Sequence, residues 1–381
     1  MAIADVVGNE MAKEILLRAY ERGKLSHAYL FTGPEGVGKF LLAKEFAKLL
    51  ACESPIREGR IDSCGVCRSC RMVEARTHPD VRFIEPRRAT AAFGAESVGE
   101  EIGEGATISI GQVRELRGDA GLRPYMAKWK VYIIRDADRM TPEAGNSLLK
   151  TLEEPNPGVV IILTTANPSG LLPTIVSRCQ EVLFRSVPVG EVESLLMERH
   201  PSLRPSQVAL VALLSGGRPG EAIKWAETPE LFELRERALT LLCREPASNL
   251  AERLKVAEEL IDIGAQWWRT KRGLDIPQSQ MWKFRERLSR LGLPEVLDLG
   301  ALWFRDVIVV STGARVRLAN VDLEGEVREV AARIGAEKGE EAIRAISEAK
   351  ANIMRNANMM LEMVHLLHRL SRILGGRGEG S

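Results

Sequence analysis

Phe31-Thr-Gly-Pro-Glu-Gly-Val-Gly-Lys-Phe40 is the stretch on which the reading of the first half of this chain turns. Its spacing, Gly33-x-x-x-x-Gly38-Lys39, is that of a phosphate-binding loop, and the motif means something only between a strand and a helix. Both are expected here: Ala28-Tyr-Leu-Phe-Thr32 is short, apolar and aromatic, and Phe40 to Leu50 carries helical residues throughout. Gly33, Gly36 and Gly38 let backbone N–H groups converge on phosphate oxygens, while Lys39 and the helix N-terminus supply positive charge. The last letter breaks the pattern, because a hydrolysing site needs a serine or threonine hydroxyl after the lysine to hold Mg²⁺, and Phe40 has none.

A second strand bears on the same chemistry. Val131-Tyr-Ile-Ile-Arg-Asp-Ala-Asp138 has the apolar run and terminal acid of a Walker B element, in which Asp136 would face the metal. ATPases of the AAA+ type place a glutamate directly after that aspartate to orient water; here the residue is Ala137. With hydroxyl and carboxylate both missing, Gly33, Gly36, Gly38, Lys39 and Asp136 are expected to form a degenerate nucleotide site, with binding in doubt. The plainer alternative for this run is a buried strand that ends in a solvated acid.

Outward from these motifs the chain divides. Up to about residue 186, strands at Val81–Ile84, Lys130–Ile134, Val159–Thr164 and Glu181–Phe184 alternate with helical stretches, the pattern of a parallel sheet under covering helices. Residues 85 to 106 are rich in Gly, Ala and Glu and read as a surface loop. Residues 187–227 read as a small helical lid in which Leu213 to Ala222 ends one helix and starts another. From 228 to 375 apolar residues recur at helical spacing, and Trp267, Trp268, Trp282 and Trp303 lie there, so an all-helical domain is expected, followed by a disordered tail at 376–381.

Composition excludes several classes. The 53 Lys and Arg against 52 Asp and Glu leave a net charge of +1, so no overall field draws the chain to nucleic acid or to an anionic membrane. That argues against a zinc-dependent DNA-binding protein. With no apolar run of spanning length and no signal-like start, a soluble cytoplasmic protein is expected. Of 6 cysteines, Cys52, Cys64, Cys67 and Cys70 cluster between the loop's helix and the next strand. Four thiolates on a tight turn suit a closed structural zinc site at about 52–78. Chance clustering or a redox pair is the alternative, and His78 is expected to cap or pack rather than ligate.

Two arginines stand out by place. Arg178, in Ser177-Arg-Cys179, follows one strand and precedes another, so it should emerge at a sheet-end loop. Spacing alone favours an exposed arginine in an ordinary salt bridge. Arg218, in Gly216-Gly-Arg-Pro-Gly220, heads a helix and could reach a phosphate or remain solvated.

Taken together, Ser26-His-Ala-Tyr-Leu-Phe-Thr-Gly-Pro34, the cysteine insertion, Asp136-Ala-Asp-Arg-Met140, Ser147-Leu-Leu-Lys-Thr-Leu-Glu-Glu-Pro155 and Ser177-Arg-Cys179 resemble the bacterial clamp-loader subunits of the AAA+ class. The resemblance is specific to about residue 225 and weaker in Trp303-Phe-Arg-Asp306 and Asn356 to Glu362. It implies an α/β AAA+ P-loop sheet with a zinc-binding insertion, a helical lid and an all-α C-terminal collar domain. It also implies a ring with tau/gamma and delta subunits, acting on the sliding clamp and primer-template DNA. In that setting Arg178 would act in trans, as a finger into a neighbour's ATP/Mg²⁺ site, and Arg218 would match the second sensor arginine. The departures at Phe40 and Ala137 favour a non-hydrolysing member over the tau/gamma ATPase, which remains the alternative.

Overall fold

The computed structural model describes residues 2–57, 59–87, 106–244, 247, 249–276 and 278–375. Most of the loop expected over 85–106, and the tail expected at 376–381, lie outside the described residues. Two compact units are formed, one by the chain to Leu195 together with Ser215–Glu221, the other by Leu196–Leu214 and the chain from Ala222 onward.

The first unit is built on β1 (Ala28–Thr32), β2 (Val81–Ile84), β3 (Lys130–Ile134), β4 (Val159–Thr165) and β5 (Gln180–Leu183). Every pairing is parallel and the order is β2-β3-β4-β1-β5. Strand β1 is therefore interior, between β4 and β5, with Ala28 opposite Ile161 and Thr32 opposite Thr165, and each of its residues is buried. Alternation along the strands feeds two cores. Tyr29, Phe31, Val131, Ile133, Val160 and Ile162 face Leu16, Leu42 and Phe46 of helices α1 (Glu10–Glu21) and α2 (Lys39–Ala51). On the other face Leu30, Tyr132, Ile134, Ile161 and Leu163 meet Val113, Leu116, Leu148 and Ile175. Those four belong to α4 (Ile110–Ala120), α5 (Pro142–Glu153) and α6 (Pro173–Val176), while α3 (Arg68–Glu74) is capped by Cys67 and carries Cys70. A fully buried Phe46 alone contributes roughly 2–3 kcal/mol of apolar transfer.

Helix boundaries follow local chemistry. Ser109 and Gln112 form a reciprocal capping box at α4, and Thr141 caps α5 ahead of Pro142. The stop and restart around Gly216 is present: α7 (Val189–Arg199) and α8 (Pro205–Leu214) precede the turn, and α9 (Pro219–Ala226) follows it.

Helices α10 (Glu230–Leu239), α11 (Leu250–Arg272), α12 (Met281–Thr312), α13 (Glu324–Met354) and α14 (Met359–Ile373) make up most of the second unit. A Cβ on Gly292 would stand 2.0 Å from the Gly264 carbonyl oxygen, so α11 and α12 cross with backbones touching. Trp225 packs edge-on against Trp267 at 5.2 Å. The fully buried Asp306 accepts hydrogen bonds from the backbone N–H of Ala319 and Asn320 and from the Asn320 side chain, and Asn320 in turn accepts from Arg235. Trp303-Phe-Arg-Asp306 is thus a packing and tethering element inside α12. Helix α13 bends at Gly335, where φ is 72°.

Candidate nucleotide loop, cysteine centre and surface arginine

Gly33, Gly36 and Gly38 take φ of 138°, 81° and 96°, backbone that favours glycine. Space repeats the demand: a Cβ on Gly33 would lie 2.3 Å from the Phe184 carbonyl oxygen, and one on Gly36 would lie 3.3 Å from Arg218 Cβ and Glu221 Cγ. The Gly220 N–H donates to the Gly36 carbonyl at 2.9 Å, so the start of α9 rests on the loop and brings Arg218 beside it. Arg218 itself donates from Nε to the Ser215 carbonyl at 2.7 Å. Lys39 turns inward, its Nζ donating to the carbonyls of Gly33 and Pro34 at 2.6 Å each. Burial lowers its pKa, against the pull of Asp136, Glu35 and Asp138.

Phe40 lies where a metal-binding hydroxyl would follow the lysine. Its ring centre is 5.1 Å from the Arg135 guanidinium and 5.3 Å from that of Arg76, and it packs against Phe83 at 6.0 Å. Both guanidinium distances fall within cation–π range. Glu85 ties the two arginines, meeting Arg76 at 3.1 Å and Arg135 at 3.5 Å. Asp136 lies 3.7 Å from Arg135, and burial raises its pKa although Arg135 and Arg139 pull it down. Ala137 is fully buried. Asp138 accepts from the Thr165 hydroxyl at 2.5 Å, so this acid is hydrogen-bonded rather than simply solvated.

Sequence reasoning missed Arg76, Phe83, Glu85 and Arg135. They come from the end of α3, from β2 and from the end of β3, and only the sheet order brings them together around one ring.

The four cysteines converge. One ligand atom from each of Cys52, Cys64, Cys67 and Cys70 lies within 4.8 Å of the others, and His78 is outside the group. Sγ separations are 3.6 Å for Cys52–Cys64 and 3.9 Å for Cys64–Cys70. Tetrahedral thiolates at a Zn–S bond of about 2.3 Å stand about 3.8 Å apart, so the spacing fits a metal such as zinc. Backbone N–H groups point at sulfur, Cys64 to Cys52 and Cys67 to Cys64 at 3.3 Å each, and Cys70 to Cys67 at 3.4 Å. Burial pushes the Cys64 thiol up, yet the N–H groups of Val66 and Cys67 draw it down to about 7. Cys70, more enclosed and beside Cys67 and Cys52, is pushed up. His78 is buried, with Nδ1 accepting from the Asp80 N–H at 3.1 Å, which is a packing role.

Arg178 lies outside both groups. Its Nη2 meets Glu153 Oε1 at 2.9 Å and its Nη1 donates to the Thr174 carbonyl at 3.1 Å, with 35% of the side chain exposed. The ordinary salt bridge favoured by spacing is present, and it sits at the sheet-end loop. Ser177 Oγ donates to the same carbonyl at 3.2 Å, and Cys179 packs on the second core, where burial raises its thiol to about 12. In Ser177-Arg-Cys179, then, serine and cysteine fix the loop that carries the arginine.

A family model described as DNA polymerase III, delta subunit matches residues 8–188. The DNA polymerase III subunit delta' of Bacillus subtilis is 30% identical over 96% of this chain and 98% of its own. The chain belongs to the delta' family of DNA polymerase III subunits. The five-stranded parallel sheet and helical C-terminal region agree with the fold expected of the clamp-loader class. The DNA polymerase III subunit tau of Escherichia coli is 32% identical over 58% of this chain and 32% of its own. Among solved structures, a gamma-subunit-related protein of Thermotoga maritima is 18% identical, covering 95% of this chain and 99% of its own at a TM-score of 0.44. No helix among the described residues is long and apolar enough to cross a membrane.

Proposed function

We propose that this chain is a non-hydrolysing subunit of a DNA polymerase III clamp loader, which helps place the sliding clamp on primer-template DNA in the cytoplasm. The observation that carries the reading is the ring of Phe40 between Arg135 and Arg76, with Asp136 beside Arg135. Two guanidinium groups rest on the side chain that replaces the metal-binding hydroxyl, and like charge so close by would oppose a dication. The chain's part in ATP chemistry then falls to Arg178, which would reach a neighbouring tau/gamma subunit's ATP and stabilise charge on the transferring phosphoryl group.

Within this reading residues 1–186 form the AAA+ domain, 187–227 the lid and 228–375 a collar that joins the tau/gamma and delta subunits. The four cysteines hold a structural zinc ion. Arg218, next to Gly36, serves the loop's shape rather than a bound nucleotide. A second reading, an active tau/gamma-type ATPase, draws on the retained glycines and Lys39.

Reconstitution tests the proposal directly: tau/gamma and delta subunits, clamp and primed DNA, with and without this chain. Clamp loading is expected to require it. Equal loading without it would overturn the reading, and steady-state hydrolysis by the chain alone would favour the second.

A further inference from the structure

Arg178 and Glu153 are held by different elements that are each rooted in the second core. Glu153 closes α5, whose Ala144, Leu148 and Leu152 are buried, and Arg178 follows α6, whose Ile175 is fully buried. The contacts are two: carboxylate oxygen to Nη2 at 2.9 Å, and Thr174 carbonyl to Nη1 at 3.1 Å. Contacts to two of its nitrogens restrict the rotamers open to the guanidinium and so orient it. A guanidinium carries five N–H donors and the carboxylate meets it through one oxygen, so the fork keeps donors for another acceptor. With 35% of Arg178 and 49% of Glu153 exposed, the pair stands at the surface.

We propose that Glu153 is the positioning residue for Arg178, holding the guanidinium in the pose from which it meets a phosphoryl oxygen bound to a neighbouring subunit. This rests on the trans-acting role given to Arg178 above. An ornamental surface pair would leave turnover unchanged when broken. A carboxylate that merely competed with phosphate would raise turnover when removed. A positioning group lowers kcat and leaves nucleotide affinity alone, because the nucleotide is held by the other subunit.

The test uses the assembled ring with Glu153→Ala, Glu153→Gln, Arg178→Ala and the double variant Glu153→Ala/Arg178→Ala, with assembly followed by sedimentation. Glu153→Ala is expected to lower kcat roughly two- to fivefold, as suits a half-exposed ion pair, with KM for ATP unchanged. Glu153→Gln, whose amide oxygen still accepts a hydrogen bond, should fall between that variant and the parent. The double variant should match Arg178→Ala. Parental or higher kcat in Glu153→Ala, alongside a defect in Arg178→Ala, overturns the positioning role while leaving the finger standing. A double variant slower than Arg178→Ala also overturns it, and a rise in KM alone does the same. Parental turnover in Arg178→Ala removes both the finger and its positioner.

Discussion

The Arg135 guanidinium stands 5.1 Å from the centre of the ring of Phe40, the residue that follows the loop lysine. Lys39, one residue earlier, gives its ammonium to the loop's own carbonyls. Lys39→Ala should therefore leave ATP turnover by the assembled ring within about twofold of the parent. A steady-state assay of the ring reads this, and a large loss would mean that the chain uses its own site.

Arg178→Ala should behave in the opposite way. The residue is partly exposed and its partners are a half-exposed carboxylate and one carbonyl, so the fold should persist, as circular dichroism would report. Turnover at the one neighbouring site it serves should fall by up to about 10³. Single-turnover kinetics of the ring would isolate that site.

The cysteine centre should hold about one zinc per chain in freshly reduced protein, by metal analysis. Cys64→Ser should release it and lower the melting temperature, because the turn between Cys64 and Cys70 then loses both the metal and the Cys67 N–H contact to the Cys64 sulfur. A metal content near zero in the parent would remove the zinc assignment.

Acid should weaken the seam between α2 and α3. Glu74 is bound by Lys44 at 2.7 Å and Lys48 at 3.0 Å, and those hydrogen bonds hold its carboxyl at about 2. The folded pKa lies below the unfolded value of 4.5, so the contribution is complete above about pH 4.5 and is lost as pH falls toward 2. With half of Glu74 exposed, solvent screening leaves a contribution of about 1 kcal/mol. Denaturant titrations at pH 7 and pH 3 should show Glu74→Gln closing most of the gap to the parent at the lower pH.

Gly292→Ala tests the helix crossing. The new methyl would meet the Gly264 carbonyl at 2.0 Å, and backbone on both sides leaves no flexible side chain to move aside. A loss of about 2–3 kcal/mol is expected in equilibrium unfolding. Gly325→Ala, in α13 with nothing within 4 Å of its Cβ, is the matched control and should be neutral or slightly stabilising.

What could be read beforehand was what local chemistry dictates. Runs such as Lys130–Ile134 and Val159–Thr165 are β-branched and buried, so the strands were legible; β4 runs one residue past its expected end, and β5 is Gln180–Leu183 where Glu181–Phe184 is expected. The loop glycines and the cysteine spacing announce themselves in the same way. Contacts across the sheet do not: nothing in the neighbourhood of Phe40 points to Arg76 or Arg135, and Glu153 gives no local sign of Arg178. At Pro294 local chemistry alone would end a helix, yet α12 runs through it. Packing of α11 and α13 along that helix overrides the local preference.

The cluster around Phe40 also has an evolutionary consequence. A lineage carrying it cannot regain a metal site by one step: exchanging phenylalanine for serine would restore a hydroxyl but strand two guanidinium groups that had rested on the ring. Asp136 would still be shared with Arg135, and Ala137 would still lack a carboxylate. Each reversal is useless or harmful until the others are made, so the arrangement works as a ratchet. The loop glycines, required by backbone and by space, persist through it as shape without chemistry.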